Sequence, residues 1–343
     1  MDERPPLDGV RVVEDTASLA GAYTGFLLAG LGAEVVRVES PATRRTPGEH
    51  VLHRGRASVA RGACWDALVA GADVVLTDEA GPEVALAPGL IHCRVSAWDG
   101  AADLPPDEAL LAASTGMQAM QWSWSRRPVW FVTPMIGYMT GLLGALGVTA
   151  ALLARRRGAP GQRVDASGLG AAMALNSGTY VSGAETRGSL SQFGDPRGQI
   201  ATYSLFPTAD GWLFIGALTP AFLVKLMTVL DRVDLLADPR LQAPPLAFGV
   251  PDIKALVRDA LDPILRRRQA ADWVRILREA DIPCGALQSR AEALADAEAR
   301  ALGIVVPVDD PVLGPTWQPG PPAVFSATPL PPPRPAPVAG ADT

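Results

Sequence analysis

Two β-branched runs separated by one apolar helical stretch occupy the first forty residues, and this pattern limits the possible folds more than any other feature of the chain. "GVRVVED" (9–15) is short, β-branched and bounded by glycine, so it reads as a strand. "AGAYTGFLLAGLG" (20–32) sets Phe26, Leu27, Leu28 and Leu31 at helical spacing and closes on Gly32, a natural C-cap. "AEVVRVE" (33–39) reads as a second strand. Strand, helix and strand in so short a span make a βαβ unit, which implies a parallel sheet.

The same logic recurs downstream. "CWDALVAGADVVLTD" predicts a short helix and then a strand at 73–76, and "GLIHCRVSAW" (89–98) predicts another strand. An uncharged run from Met135 to Ala154 predicts a long helix, with the strand-like "QRVDAS" after it. The expected fold class is α/β: a Rossmann-like large domain with a parallel sheet, plus a smaller α+β domain. The large domain is read as 1–187 completed by 315–343, with a Gly, Ser, Gln, Asp and Pro-rich linker at 188–202 and the small domain at 203–314. In the small domain "YSLFPTADGWLFIGAL" reads as two strands joined by a turn at 209–211, followed by helices around 221–230, 253–267 and 269–279. The proline-rich tail from Gly314 is expected to be extended and to run back across the first domain.

Composition narrows the function. With 48% hydrophobic and 19% charged residues the chain can bury a sizeable core. A net charge of −6 argues against nucleic acid as the main partner, while a local basic pocket for a phosphorylated small molecule stays compatible with it. Cys64, Cys93 and Cys284 are too far apart for a disulfide framework or a zinc cluster, and His50, His53 and His92 lack metal-ligand spacing. "MDERPPLDG" has no apolar core of a signal peptide, so the expectation is a reduced, cytoplasmic protein. The run Met135 to Ala154 is long enough to cross a bilayer, with small residues at Gly137, Gly141 and Gly144. It is read instead as a buried helix, because the apolar signal is single and arginine flanks both ends. No membrane partner is expected.

Several local motifs carry two readings each. No GxGxxG follows the first strand and no GxxxxGK[ST] occurs, so a nicotinamide cofactor is not expected. "DASGLG" (165–170) lacks the glycine two positions before Ser167 that a nucleophile elbow needs. Arg155, Arg156 and Arg157 read either as a phosphate grip or as positive charge on a helix C-terminus. Asp107 and Glu108 read as a solvated loop or as catalytic carboxylates, and His53 as a surface residue or as a base lining a pocket.

Taken together these segments resemble the class III CoA-transferases, a family that includes carnitine CoA-transferase, formyl-CoA transferase and α-methylacyl-CoA racemase. The resemblance spans nearly the whole chain: "PLDGVRVVEDTASLAGAYTGFLLAGLGAEVVRVESP", "HRGRASV", "GADVVL", "GLIHCRVSAWDG", "ASTG", "TGLLGALGVTAALLARRRGAPGQRVDAS", "FPTADGWLFIGAL", "WVRILREADIPCGAL" and "PAVFSATPL", in the family's order. It implies CoA at the domain boundary, here against Ala17, Ser18, Arg37, Arg54 and Arg56. It also implies a homodimer whose two chains interlock, and an aspartate that attacks the acyl-CoA thioester to give a mixed anhydride.

Three departures qualify that implication. Counting back four residues from Gly141, the nucleophile position holds Gly137, which cannot attack. Counting forward from Pro128 and Val129 reaches the same residue. The histidine that racemases pair with this aspartate is matched by Asp107, followed by Glu108. Where relatives carry an Asn-Phe-Arg-Pro-Gly segment whose arginine meets the cofactor's phosphates, this chain has "LTDEAGPEV", with Asp78 and Glu79. Losing such a contact costs about 1.5–3 kcal/mol, tenfold or more in affinity, so weakened binding of CoA or acyl-CoA is expected.

The reading is a diverged enzyme of this family. It acts on an acyl thioester or carboxylate without the Asp-anhydride route, as a non-standard transferase, racemase/isomerase or lyase. Asp107, Glu108 and His53 are the candidate acid/base groups. The alternative is a non-catalytic member, a structural or regulatory subunit that forms a hetero-oligomer with an aspartate-bearing paralogue.

Overall fold

The computed structural model describes residues 4–40, 42–62, 65–99, 104–120, 129–178, 180, 195, 197–198, 200–242 and 249–343. Cys64, Pro128 and most of the predicted linker lie outside them.

The opening βαβ unit forms as the sequence predicts. β1 (Arg11–Asp15) leads into α1 (Leu19–Gly30), whose first turn is capped by the Ser18 hydroxyl accepting from the N–H of Gly21. Gly32 then ends the helix at φ +96°, a conformation that only glycine adopts without strain, and β2 (Glu34–Glu39) follows. The chain continues through α2 (Pro47–Leu52), β3 (Ala57–Ala60), α3 (Trp65–Ala70), β4 (Val74–Thr77) and β5 (Ile91–Ser96). Next come α4 (Glu108–Ser114), α5 (Met117–Met120), α6 (Met135–Arg156), β6 (Arg163–Ser167) and α7 (Gly168–Leu175). The six strands pair in parallel in the order β3-β2-β1-β4-β5-β6. Strand order reverses between β1 and β4, which makes the carboxyl ends of those two strands the natural place for a ligand.

The long uncharged run is a core helix. α6 buries Ile136, Ala145, Val148, Ala151 and Leu152, and joins Leu28, Val74, Leu76 and Ile91 in the apolar layer on one face of the sheet. Its glycines allow close approach to α1: a Cβ at Gly141 would stand 2.7 Å from the Ala20 carbonyl oxygen, and one at Gly144 would stand 2.8 Å from Thr24 Oγ1. Thr24 also donates to the Gly141 carbonyl at 3.1 Å. Arg155 sits at the helix C-terminus and bonds the Gly89 carbonyl at 2.8 Å and Asp73 at 2.9 Å, which fits the helix-end reading of the arginine run.

Contacts divide the chain into two units, 1–117 with 131–183 and 292–343, and 118–130 with 184–291. The second unit holds β7 (Tyr203–Pro207), β8 (Trp212–Gly216), α8 (Pro220–Val229), α9 (Pro251–Leu265), α10 (Ala270–Glu279) and β9 (Cys284–Ala286). Its three strands are antiparallel in the order β7-β8-β9, and its own core is built on Phe206, Leu213, Ile215, Met227, Leu261 and Leu277.

Beyond α11 (Arg290–Ala295) and α12 (Ala297–Ala301), β10 (Val305–Asp310) and β11 (Gly314–Pro319) form an antiparallel hairpin. The sequence reading drew the small domain out to residue 314, whereas this hairpin groups with the sheet-bearing unit. Two contacts tie it there: His50 Nδ1 to Asp310 at 3.2 Å, and Arg54 to Gln318 at 3.3 Å. The proline-rich tail then runs back to β3, where Ser58 N donates to Asp342 and Ser58 Oγ accepts from Gly340 N, both at 2.8 Å.

Candidate active site

Gly137 lies in the first turn of α6, beside the side chain of Leu19 at the start of α1. A carboxylate from another helix reaches this turn. Glu108, the first residue of α4, accepts from Ile136 N at 2.8 Å through Oε1 and from Gly137 N at 2.9 Å through Oε2. Its Oε2 lies 3.5 Å from where a Cβ of residue 137 would be. α6 starts without a cap of its own, since Pro134 offers no side-chain acceptor. Glu108 satisfies two of its orphan N–H groups and puts negative charge at the positive end of its dipole. Each carboxylate oxygen retains lone-pair capacity for a further partner.

Asp107 does different work. It is exposed, and its Oδ1 accepts from Ala109 N at 2.9 Å and Leu110 N at 3.0 Å, which caps α4 and fixes the start of the helix that carries Glu108. Asp107 is thus an exposed capping residue, whereas Glu108 is half-buried and bonded to α6.

His53 is a buried residue, which corrects its reading as a surface one. It sits in a charged cluster at β1, β2 and β3. Glu14, fully buried on β1, stands opposite Arg37 on β2 and is shared between Arg37 and Arg56. Arg37 also bonds Glu39 at 3.3 Å and the Thr16 carbonyl at 2.9 Å. Arg56 donates to the carbonyls of Ala22 and Leu52 and, at 3.3 Å, to His53 Nδ1. Burial, then the Arg56 charge, holds the His53 imidazole far below its ordinary pKa, so it is neutral with Nδ1 as acceptor. Burial draws Arg56 down to about 10. For Arg37 burial acts in the same sense, but Glu14 and Glu39 outweigh it and its pKa lies above the ordinary value. Arg54 stacks on Phe26 at 4.9 Å from the ring centroid, and burial lowers its pKa. Three arginines expected from the resemblance to meet a cofactor are thus engaged inside the protein. Sequence reasoning missed Glu14, although a carboxylate inside the apolar run "RVVED" is the signal of a buried partner for a cation.

Ala17 and Ser18 lie at the switch point of the sheet, on the turn between β1 and α1. Their N–H groups donate to Asp78 Oδ2 at 2.6 and 2.7 Å, while Asp78 Oδ1 accepts from Ala80 N at 3.1 Å. Glu79 accepts from Ala97 N beyond β5. Asp15, at the end of β1, pairs with Arg61; burial still raises its pKa above the ordinary value.

This topology and the order of segments meet a clear match among known proteins. A family model described as CoA-transferase family III matches residues 7–343. The chain belongs to CoA-transferase family III. Among the relatives of this family member is a succinyl-CoA–D-citramalate CoA-transferase of Chloroflexus aurantiacus, 29% identical over 91% of this chain and 86% of its own. An alpha-methylacyl-CoA racemase of Mus musculus is 27% identical over 79% of this chain and 74% of its own. The fold is shared with a CAIB/BAIF family protein from Brucella suis, at TM-score 0.82 and 22% identity over 98% of this chain and 97% of that one. Transferases and a racemase both stand among the relatives, so enzyme activity fits the family.

Proposed function

We propose that the protein is a diverged CoA-transferase family III enzyme that acts on an acyl thioester or carboxylate, with Glu108 as its acid/base group. The observation that carries this reading is the Glu108 carboxylate, held by Ile136 N and Gly137 N beside the position where the family's nucleophile would project. The two N–H bonds fix its orientation, and each oxygen keeps a lone pair to take a proton from the α-carbon of a bound acyl group. Protonated, Glu108 returns that proton to the same carbon or to a neighbouring leaving group. This makes isomerase or lyase chemistry the better fit than anhydride formation. Asp107 supports Glu108 by starting its helix, and His53 takes no part, because it is neutral, buried and bonded to Arg56.

The test is α-proton exchange in D2O with a panel of acyl-CoA and acyl N-acetylcysteamine thioesters, followed by mass spectrometry. Glu108→Gln should lower exchange by about 10²–10⁴, the usual contribution of a positioned acid/base group. Glu108→Asp should retain part of it. Exchange untouched by Glu108→Gln would remove Glu108 from the chemistry. A chain that exchanges none of the panel, alone or with an aspartate-bearing paralogue added, would favour the second reading, a non-catalytic subunit. That second reading draws on one observation, the double anchoring of Glu108 as a helix cap.

A further inference from the structure

The crevice at the carboxyl ends of β1 and β4 is where a doubly wound sheet takes its ligand. Backbone N–H groups leading into a helix are the usual seat there for an anion such as a phosphate. In this chain that seat is taken from within. Asp78 is 3% exposed and places one carboxylate oxygen on Ala17 N and Ser18 N, the other on Ala80 N. The loop that carries it is packed down: a Cβ at Gly81 would stand 2.8 Å from Thr77 Cβ and 2.9 Å from the Asp15 carbonyl oxygen, so only glycine fits. Glu79 takes a further N–H, that of Ala97. Among the described residues, two cations bonded to the end of strand β1 and the turn after it are committed as well, Arg61 to Asp15 and Arg37 to Glu14, Glu39 and the Thr16 carbonyl.

We propose that Asp78 is a built-in anion that fills this crevice and makes the protein select against phosphate-bearing ligands. An acyl group on a carrier without phosphates at this end would meet no such barrier. A nucleotide-bearing thioester would have to displace a carboxylate from two short N–H bonds and then sit beside Asp15 and Glu79. This inference stands on the crevice alone and is independent of the role given to Glu108, since it is read from binding and not from turnover.

The experiment is calorimetric titration of wild type, Asp78→Asn, Asp78→Ser and Glu83→Gln with ADP and with CoA, each variant checked by its melting curve. Glu83 is an exposed acid on the same loop, so its variant removes equal charge without touching the crevice. The expected result is no saturable binding to wild type or Glu83→Gln at millimolar ligand, and at least a tenfold gain in Asp78→Asn or in Asp78→Ser. Micromolar binding of ADP by wild type would overturn the proposal outright. So would an equal gain in Glu83→Gln, or the absence of any gain in whichever Asp78 variant folds.

Discussion

At the scale of single residues, the central relation is between Gly137 and Glu108. A carboxylate at position 137 would have to share the space that Glu108 now fills, since the Cβ position lies 3.5 Å from Glu108 Oε2 and 3.0 Å from Leu19 Cδ2. Leucine's tip can rotate away. Two carboxylates about 4 Å apart cannot relax so cheaply, because at an effective dielectric of about 20 they repel by roughly 4 kcal/mol until one takes a proton. Gly137→Asp is therefore expected to lower thermal stability, and the double variant Gly137→Asp with Glu108→Gln to recover most of the loss. A double-mutant cycle by chemical denaturation should give a coupling above about 1 kcal/mol. Additive losses would mean that the two positions do not share one carboxylate site. The sequence points to Gly137 only through the family resemblance and its spacing from Gly141. It cannot show that Glu108, 29 positions away in the chain, projects into the same space.

At the scale of elements, the α1–α6 pair holds the site together, because it places Leu19 and Gly137 side by side. The pair meets backbone to backbone through glycine, with Thr24 bonded to the Gly141 carbonyl at 3.1 Å. Gly141→Ala would set its methyl 2.7 Å from the Ala20 carbonyl oxygen, an atom that cannot move without the helix. The expected cost is about 1–3 kcal/mol, the range for overpacking, visible as a lower melting temperature. Gly30→Ala, with no atom within 4 Å of the added carbon, is the control and should be near neutral or stabilising. Equal effects of the two substitutions would show that the helices are not in close contact at Gly141. Apolar periodicity was enough to read both helices from the sequence. Their crossing was not legible, because glycine spacing fits a membrane helix pair as well as a soluble core.

At the scale of the whole molecule, two properties should be measurable. The first is acid lability. The His53 imidazole is buried and its pKa lies far below the ordinary 6.5, and burial also lowers that of His92. Below pH 6.5 the unfolded chain takes up more protons at these sites than the folded chain does. Stability should then hold above that pH and decline below it, by up to about 1.4 kcal/mol per pH unit for each histidine. Urea unfolding at stepped pH should show the slope, and His53→Gln should make it shallower. An unchanged slope would contradict the burial of a neutral His53.

The second property is association. Tyr138, Leu142, Leu146 and Leu153 form an exposed apolar line on the outer face of α6. Beside it a groove of about 1180 Å³ is lined by Phe26, Arg54, Leu142, Leu146 and Phe325, and its walls do not include Glu108, Gly137 or Asp78. An exposed apolar row beside a groove is the kind of surface that association would cover. A homodimer is the expected state, and light scattering should return twice 35.9 kDa. A monomer at micromolar concentration would contradict it.

Local pattern alone determined five of the six parallel strands, helices α1, α3 and α6, the β7–β8 hairpin of the second unit and the membership of the family; the edge strand β3 and helices α2, α4, α5 and α7 were not legible in it. Strand and helix periods and turn residues act over a few positions, and the segments follow the family's order. Tertiary structure decided how the charged residues are used. Arg37, Arg54 and Arg56 looked available to a ligand by type and position, yet Glu14, Glu39, Gln318 and backbone carbonyls engage them. Asp78 was read only as an acid in place of the family's arginine segment, and it is a buried cap on the turn into α1. Glu108 looked like one of two equivalent acids, yet only it reaches α6. A charge takes its role from the partners that long-range folding brings within about 3 Å, and separation along the chain does not encode that distance.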